Sequence, residues 1–241
     1  MRYARALTRP EWQELAERFS GACAEAGLDL TSPFNVRKYN LQAFGNERLF
    51  DFGRPDALGI LVGNTKRLWP VFKRAFEAEP ALRTDANPLD SYVAARLRQL
   101  GSATLGRPFQ LVFAHATAPK PFPIQRLAEA IDFAALSPSH LAVHPVHGPW
   151  LALRAVVLVD VEGPPPSLAQ LVSPCRGCSA PCMPALRRAL ELTPTPLSED
   201  SIAEHAADWI AIRDACPVGR ASRYEDEQLT YHYTKTPLLA R

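Results

Sequence analysis

The chain has 241 residues, with 27 Lys and Arg against 25 Asp and Glu, a formal net charge of +2 and 47% hydrophobic residues. Such a length and apolar share can bury a substantial core, while interleaved, nearly balanced charges remove the electrostatic case for nucleic acid or an anionic membrane. No apolar run reaches the roughly 18 residues needed to span a bilayer. Met1 to Glu14 carries Arg2, Arg5 and Arg9 with no apolar stretch behind them, so no secretory signal is read there. With 5 cysteines, an odd count, a reducing cytoplasmic compartment is expected.

Residues 10–27 predict a helix, capped by Thr8 with Pro10 in the first turn. Trp12, Leu15, Ala16, Phe19, Ala22 and Cys23 recur on one face until Gly27, which makes Cys23 a small buried hydrophobe. Ala57 to Val62 is a continuous apolar run, a buried strand, and a helix through Phe76 follows. Asn87-Pro88 opens another helix with Leu89, Tyr92, Val93, Arg96, Leu97 and Leu100 along one side. Phe109 to His115 reads as a strand and Ile124 to Leu136 as a helix. Trp150 to Val161 is the clearest strand, apolar on both faces and therefore central, with Arg154 as the one charged residue before its end. Gly163 and Pro164-Pro165-Pro166 break the chain. Ser198 then caps a helix carrying Ile202, His205, Ala206, Trp209, Ile210 and Arg213, and a polar helix covers Glu225 to Tyr233. Strands alternating with helices give an α/β (α+β sandwich) protein. Its organisation is a core over 1–163 and a cysteine-containing segment over 164–241 packed on it, one domain overall.

Cys175, Cys178 and Cys182 form a C-x2-C-x3-C run, and Cys216 directly precedes Pro217. Thiolates crowded this closely are natural ligands, converging on zinc at about 2.3 Å. A Cys-Pro ending is also how ferredoxin-type cluster motifs close, which favours a 4Fe-4S cluster, with zinc as the alternative. Redox thiols and incidental cysteines are the competing interpretations.

A second constellation runs from Leu136-Ser137-Pro-Ser-His140 through His144-Pro-Val-His147-Gly148-Pro-Trp150 to Arg154. The histidines have spacings compatible with a metal on a helix, but Pro138, Pro145, Gly148 and Pro149 preclude a continuous one. A shaped loop entering the strand is expected instead, with Gly148 permitting close approach to a ligand. Arg154, inside an apolar strand, must be paired or face a cavity; an anionic ligand and an internal ion pair both answer that need. Arg213 and Arg223 are candidates to join it, with a surface role open for Arg223. The G-x-G-x-x-G, P-loop and G-x-S-x-G patterns are absent.

Phe34-Asn-Val-Arg-Lys-Tyr39-Asn40, Asn87-Pro-Leu-Asp90-Ser-Tyr-Val, the stretch from His144 to Leu158, Arg213-Asp-Ala and Arg223-Tyr-Glu-Asp-Glu-Gln228 occur in this order. Together they resemble the CblC-type cobalamin-processing proteins (the MMACHC family). The resemblance implies a nitroreductase-like fold, binding of cobalamin with its lower base detached, and removal of the upper ligand. It implies a reductive route with a flavin for cyanocobalamin, or alkyl transfer to glutathione. Ser137, His144, Gly148, Trp150 and Arg154 would then lie at the cofactor, with Arg154 and Arg213 as catalytic residues holding an anionic group of a reductant or of cobalamin. The cysteines resemble instead those of epoxyqueuosine reductases and reductive dehalogenases, which join base-off cobalamin to iron–sulfur clusters. The expected partners are cobalamin and a small-molecule or protein reductant. The expected activity is that of a cyanocobalamin reductase or dealkylase. A non-catalytic cobalamin chaperone and a cobalamin-dependent reductase of another substrate are its competitors.

Overall fold

The computed structural model describes residues 9–118, 120–166 and 170–235. In chain order these form α1 (Glu11–Glu25), β1 (Leu30–Asn35), α2 (Val36–Asn40), β2 (Ala57–Asn64), α3 (Leu68–Ala78), α4 (Pro80–Arg83) and α5 (Pro88–Thr104). There follow β3 (Phe109–Phe113), α6 (Ile124–Ala130), β4 (Ala135–Leu136), β5 (Ala142–Val143) and β6 (Ala152–Glu162). The last elements are α7 (Cys182–Leu192), α8 (Glu199–Glu204), α9 (Ala206–Asp214) and α10 (Asp226–Thr234).

The main sheet has the order β1-β2-β6-β3 with every pairing antiparallel. Its two central strands bury both faces because their side chains alternate between two apolar layers. Leu58, Ile60 and Val62 of β2 and Ala155, Val157 and Val159 of β6 meet Phe19 and Cys23 of α1, Phe72 of α3 and Leu97 of α5. Leu61 of β2 and Val156 and Leu158 of β6 face Phe34, Tyr39 of α2 and Leu127 of α6. Gly59 leaves room for the Phe34 ring, which a Cβ would meet at 2.3 Å.

Three predicted helices change shape. α1 begins at Glu11 with Pro10 as its N-cap, and Thr8 lies outside the described residues. The helix expected over 124–136 stops at Ala130, because Asp132 enters the left-handed region (φ 62°) and the chain turns into β4. β4 and β5 then pair through Ala135 with Val143 and Leu136 with Ala142. The helix from Ser198 is split at His205 (φ −110°, ψ 27°) into α8 and α9. Ser198 nevertheless caps as expected, its hydroxyl accepting the Ser201 N–H at 3.1 Å while Ser201 Oγ accepts the Ser198 N–H at 2.9 Å. Pro70, in the first turn of α3, costs no helical hydrogen bond. After β6 the chain reaches α7, which packs against α9 through Cys182, Ala189 and Ile212 with Leu186 and Trp209 around them. Among the described residues no helix is long and apolar enough to cross a membrane.

Candidate functional site

Arg154 is the charge that β6 carries into the interior, with only 13% of its side chain exposed. Its Nε donates to Asn64 Oδ1 at 2.7 Å and one terminal nitrogen reaches Asp90 Oδ1 at 3.3 Å. The internal ion pair is therefore present, and Arg154 also lines a polar cavity of about 220 Å³ with Asp90, His115, His232 and Lys235. Arg213, on α9, approaches the same region from the other side. A terminal nitrogen donates to the Pro149 carbonyl at 2.8 Å, while its Nε is buried without a partner among the described residues. Burial, followed by the positive fields of Arg213 and Arg154, pushes the His232 imidazole down to about 3. Both arginines also act on the buried Tyr224 phenol, whose pKa is raised chiefly by burial. Arg223 is tied at the surface to Asp214 (2.8 Å) and Asp226 (3.0 Å).

Trp150 anchors the loop that precedes β6. It is 1% exposed, packs on Tyr224, and has the Arg213 and Arg223 guanidinium carbons 5.8 and 5.7 Å from its ring. Any part it plays at a ligand acts through that loop. His144 and Gly148 exchange backbone hydrogen bonds of 2.9 and 2.8 Å, closing a tight turn of the shape expected from the prolines. His144 Nδ1 accepts the Val146 and His147 N–H groups at 3.1 and 3.3 Å, which leaves the proton of the neutral ring on Nε2. Burial and the neighbouring His147 push this imidazole down to about 4. The His147 ring stacks on it at 4.9 Å and bonds Ser222 Oγ at 2.9 Å.

Gly148 does permit a close approach, and the partner is the chain itself. A Cβ there would stand 2.0 Å from the Val218 carbonyl oxygen, and one on Gly219 would stand 2.1 Å from the His147 carbonyl. Both glycines have positive φ (57° and 76°). The His144 loop and the turn after Cys216 thus cross backbone on backbone.

That crossing brings Cys216 to the other cysteines. Cys175 and Cys178 sit in a turn closed by the Cys178 N–H on the Cys175 carbonyl (3.1 Å), Gly177 and Ala180 supply positive φ, and Cys182 opens α7. All four thiols are free and line one small, mainly apolar cavity with Ser137, Ser139, Pro149 and Ile212. Ser137 Oγ accepts the Leu141 N–H at 3.1 Å and lies 3.0 Å from Ser139 Oγ. Burial, then the charges of the other three cysteines, raise the Cys175 pKa. Burial raises that of Cys216 as well, against a lowering hydrogen bond from the Val218 N–H. The space these residues line is about 50 Å³, several times the ~10–15 Å³ that one water requires. Among the described residues no group of three or more His, Cys, Asp or Glu is arranged so as to hold a metal ion.

A much larger cavity, about 770 Å³, lies on the other side of β4. Lys38, Tyr39 and Gln42 of the α2 region, Arg126 and Glu129 of α6, and Leu136 and Leu171 line it, with Phe44 at 82% exposure on its rim. Sequence reasoning missed this site, because its residues come from four distant segments and carry no shared spacing. Leu136 faces the large cavity while its neighbour Ser137 faces the cysteines, and Leu171 and Pro174 divide in the same way. The two cavities are thus lined by residues only one to three positions apart in the chain.

No protein-family model matches the chain, and no curated protein matches it in sequence. Among solved structures it is similar to the B12-trafficking protein CblC of C. elegans, a human MMACHC homologue, with a TM-score of 0.65, 14% identity and 94% of each chain covered. It is also similar to an epoxyqueuosine reductase, with a TM-score of 0.53, 11% identity, 90% of this chain and 68% of that chain covered. At such identities the likeness concerns the fold, and the fold is the mixed α/β, nitroreductase-like one expected.

Proposed function

We propose that the chain binds cobalamin, lower base detached, in the cavity beside β4 and removes its upper ligand by reduction, with the four cysteines holding an iron–sulfur cluster as the electron relay. The observation that carries this is the closeness of the two linings: Leu136 with Ser137, and Leu171 with Pro174, put a large polar-edged cavity next to a cysteine-lined one. The larger cavity lies in the upper part of the range for organic ligands, about 300–1,000 Å³. Lys38, Gln42, Glu47 and Arg126 offer its rim donors and acceptors suited to the amide-fringed corrin, and Phe44 an apolar cover.

The cysteine set fits a cluster by its donor chemistry: four free thiols from residues that line one mainly apolar space. When bound, a cluster supplies single electrons at a potential set by burial and hydrogen bonds to sulfur. The chain's own contributions are specific. Val218 donates its N–H to Cys216, and Ile212 and Pro149 give the cysteine-lined space part of its apolar wall. The Ser137–Ser139 pair lines its polar part. One electron taken by cyanocobalamin lets cyanide leave with its bonding pair. His144, neutral at pH 7 with its proton on Nε2, does not line the large cavity and acts only through the loop it closes with Gly148.

Arg154 and Arg213 are proposed to hold an anionic group of a small reductant, such as a glutathione carboxylate, or of cobalamin. Asn64 and Asp90 fix the Arg154 plane while the same side chain lines the 220 Å³ cavity. Zinc in place of the cluster would leave a cobalamin carrier with a structural clasp. The test is anaerobic purification, iron and sulfide analysis, and titration with cyanocobalamin. About four iron and four sulfide per chain, a shift to the base-off spectrum, and reduction faster than that of free cobalamin are expected. A colourless zinc protein would remove the relay, and an unshifted cobalamin spectrum would remove the ligand.

A further inference from the structure

The stretches that carry the cysteines, residues 163–190 and 215–224, contain Arg176, Arg187, Arg188, Arg220 and Arg223 and no Asp or Glu. Arg188 is neutralised by Asp208 at 2.9 Å and Arg223 by Asp214 at 2.8 Å. Arg176, Arg187 and Arg220 have no hydrogen-bond or ion-pair partner among the described residues. Arg176 stands exposed between Cys175 and Cys178, and the exposed Arg220 opens the short helical turn four residues after Cys216. Cys175, Cys178 and Cys216 are themselves only half-buried, and the exposed Pro181 and Pro217, which line the same cavity, give this face an apolar rim. The large cavity is different, since its Lys38 pairs with Asp132 and its Arg126 lies 3.8 Å from Glu47.

Building on the cluster assignment, we propose that this face docks an acidic one-electron carrier protein. A partly exposed redox centre needs its donor close and only briefly, which suits a small contact, below about 1,200 Å², with an apolar middle. Unpaired arginines around it raise the encounter rate with an acidic surface and select against basic ones. At each encounter the carrier gives up one electron and is oxidised, and the cysteine-held centre gains that electron; no bond or proton changes place. The paired charges around the large cavity do not steer in this way, so donor and cobalamin approach the molecule on different faces.

The test follows reduction of the reconstituted protein by stopped-flow absorbance, using a reduced acidic [2Fe-2S] ferredoxin as the probe and dithionite as a small reductant. Arg176→Glu with Arg220→Glu is expected to lower the second-order rate with ferredoxin by about tenfold or more. Raising the salt from about 50 to 500 mM should lower the rate for the parent far more than for the variant. Dithionite should bleach both proteins to the same extent, and Arg74→Glu, an exposed arginine on the distant α3, should behave as the parent. Equal ferredoxin rates in parent and double variant, with the cluster intact by dithionite bleaching, would overturn this inference alone. Absence of iron and sulfide would overturn the cluster assignment and this inference with it.

Discussion

Replacing Gly148 or Gly219 by alanine strikes the crossing that joins the His144 loop to the Cys216 turn. Each glycine has a positive φ, and an L-residue forced there costs about 1–2 kcal/mol. Each new Cβ would also meet backbone at 2.0 or 2.1 Å, far inside contact distance. Backbone cannot rotate away as a side chain does, so the loop and the turn must part, at about 1–3 kcal/mol of overpacking strain. We expect each single variant to lose about 3 kcal/mol, or ~6–12 °C in melting temperature for a chain of this size. The double variant should lose less than the sum, because a crossing already opened by one methyl admits the second with little more than its conformational cost. Urea unfolding and calorimetry of parent, singles and double measure this cycle. Singles within about 0.5 kcal/mol of the parent, or losses that simply add, would refute a shared crossing. Because Cys216 follows from that crossing, iron content should fall in the same order as stability.

Other outcomes follow from the same geometry. Arg154→Lys keeps a charge for Asp90 but loses the planar donor to Asn64, so stability should fall by about 1–2 kcal/mol in chemical denaturation, and Asp90→Asn should cost less when combined with Arg154→Lys than alone. The folded imidazoles of His144 and His232 take a proton only near pH 4 and 3, whereas unfolded histidine does so near 6.5. Their contribution is therefore full above about pH 6.5 and is lost as the pH falls toward 4; urea midpoints should decline over that window, less steeply for His144→Gln. Cys178→Ser and Cys216→Ser should each cut iron in the anaerobically reconstituted protein by more than about half while leaving the far-ultraviolet circular dichroism unchanged.

Much of the scaffold was legible because its signals are local. The apolar runs at 57–62 and 150–161 could hardly be anything but central strands, and both are, with Arg154 paired as its burial demands. β1 escaped because Pro33 and a polar Thr31-Ser32 interrupt its pattern; as an edge strand it tolerates a missing N–H. α7 escaped because Pro181 and Pro184 read as breakers, although at the N-cap and first turn they forfeit no helical bond. The cysteine set was visible from spacing alone, and the fold does bring Cys216 to it. The cavity beside β4 was not, since Lys38, Arg126, Leu136 and Leu171 share only a place in space. Gly148 was singled out for closeness to a ligand, whereas its neighbour at that distance is Val218.

The clasp between α7 and α9 has a further consequence. Ala189, Ile212, Leu186 and Met183 pack it, and Trp209 Nε1 donates to the buried Thr193 Oγ1 at 3.0 Å, so most of its cohesion comes from carbon surfaces and one hydrogen bond rather than from sulfur. A scaffold held in that manner keeps α7 on α9 whether or not the cysteines are occupied. The half-exposed thiols of Cys175, Cys178 and Cys216 then stay on a framework whose packing does not depend on their being occupied.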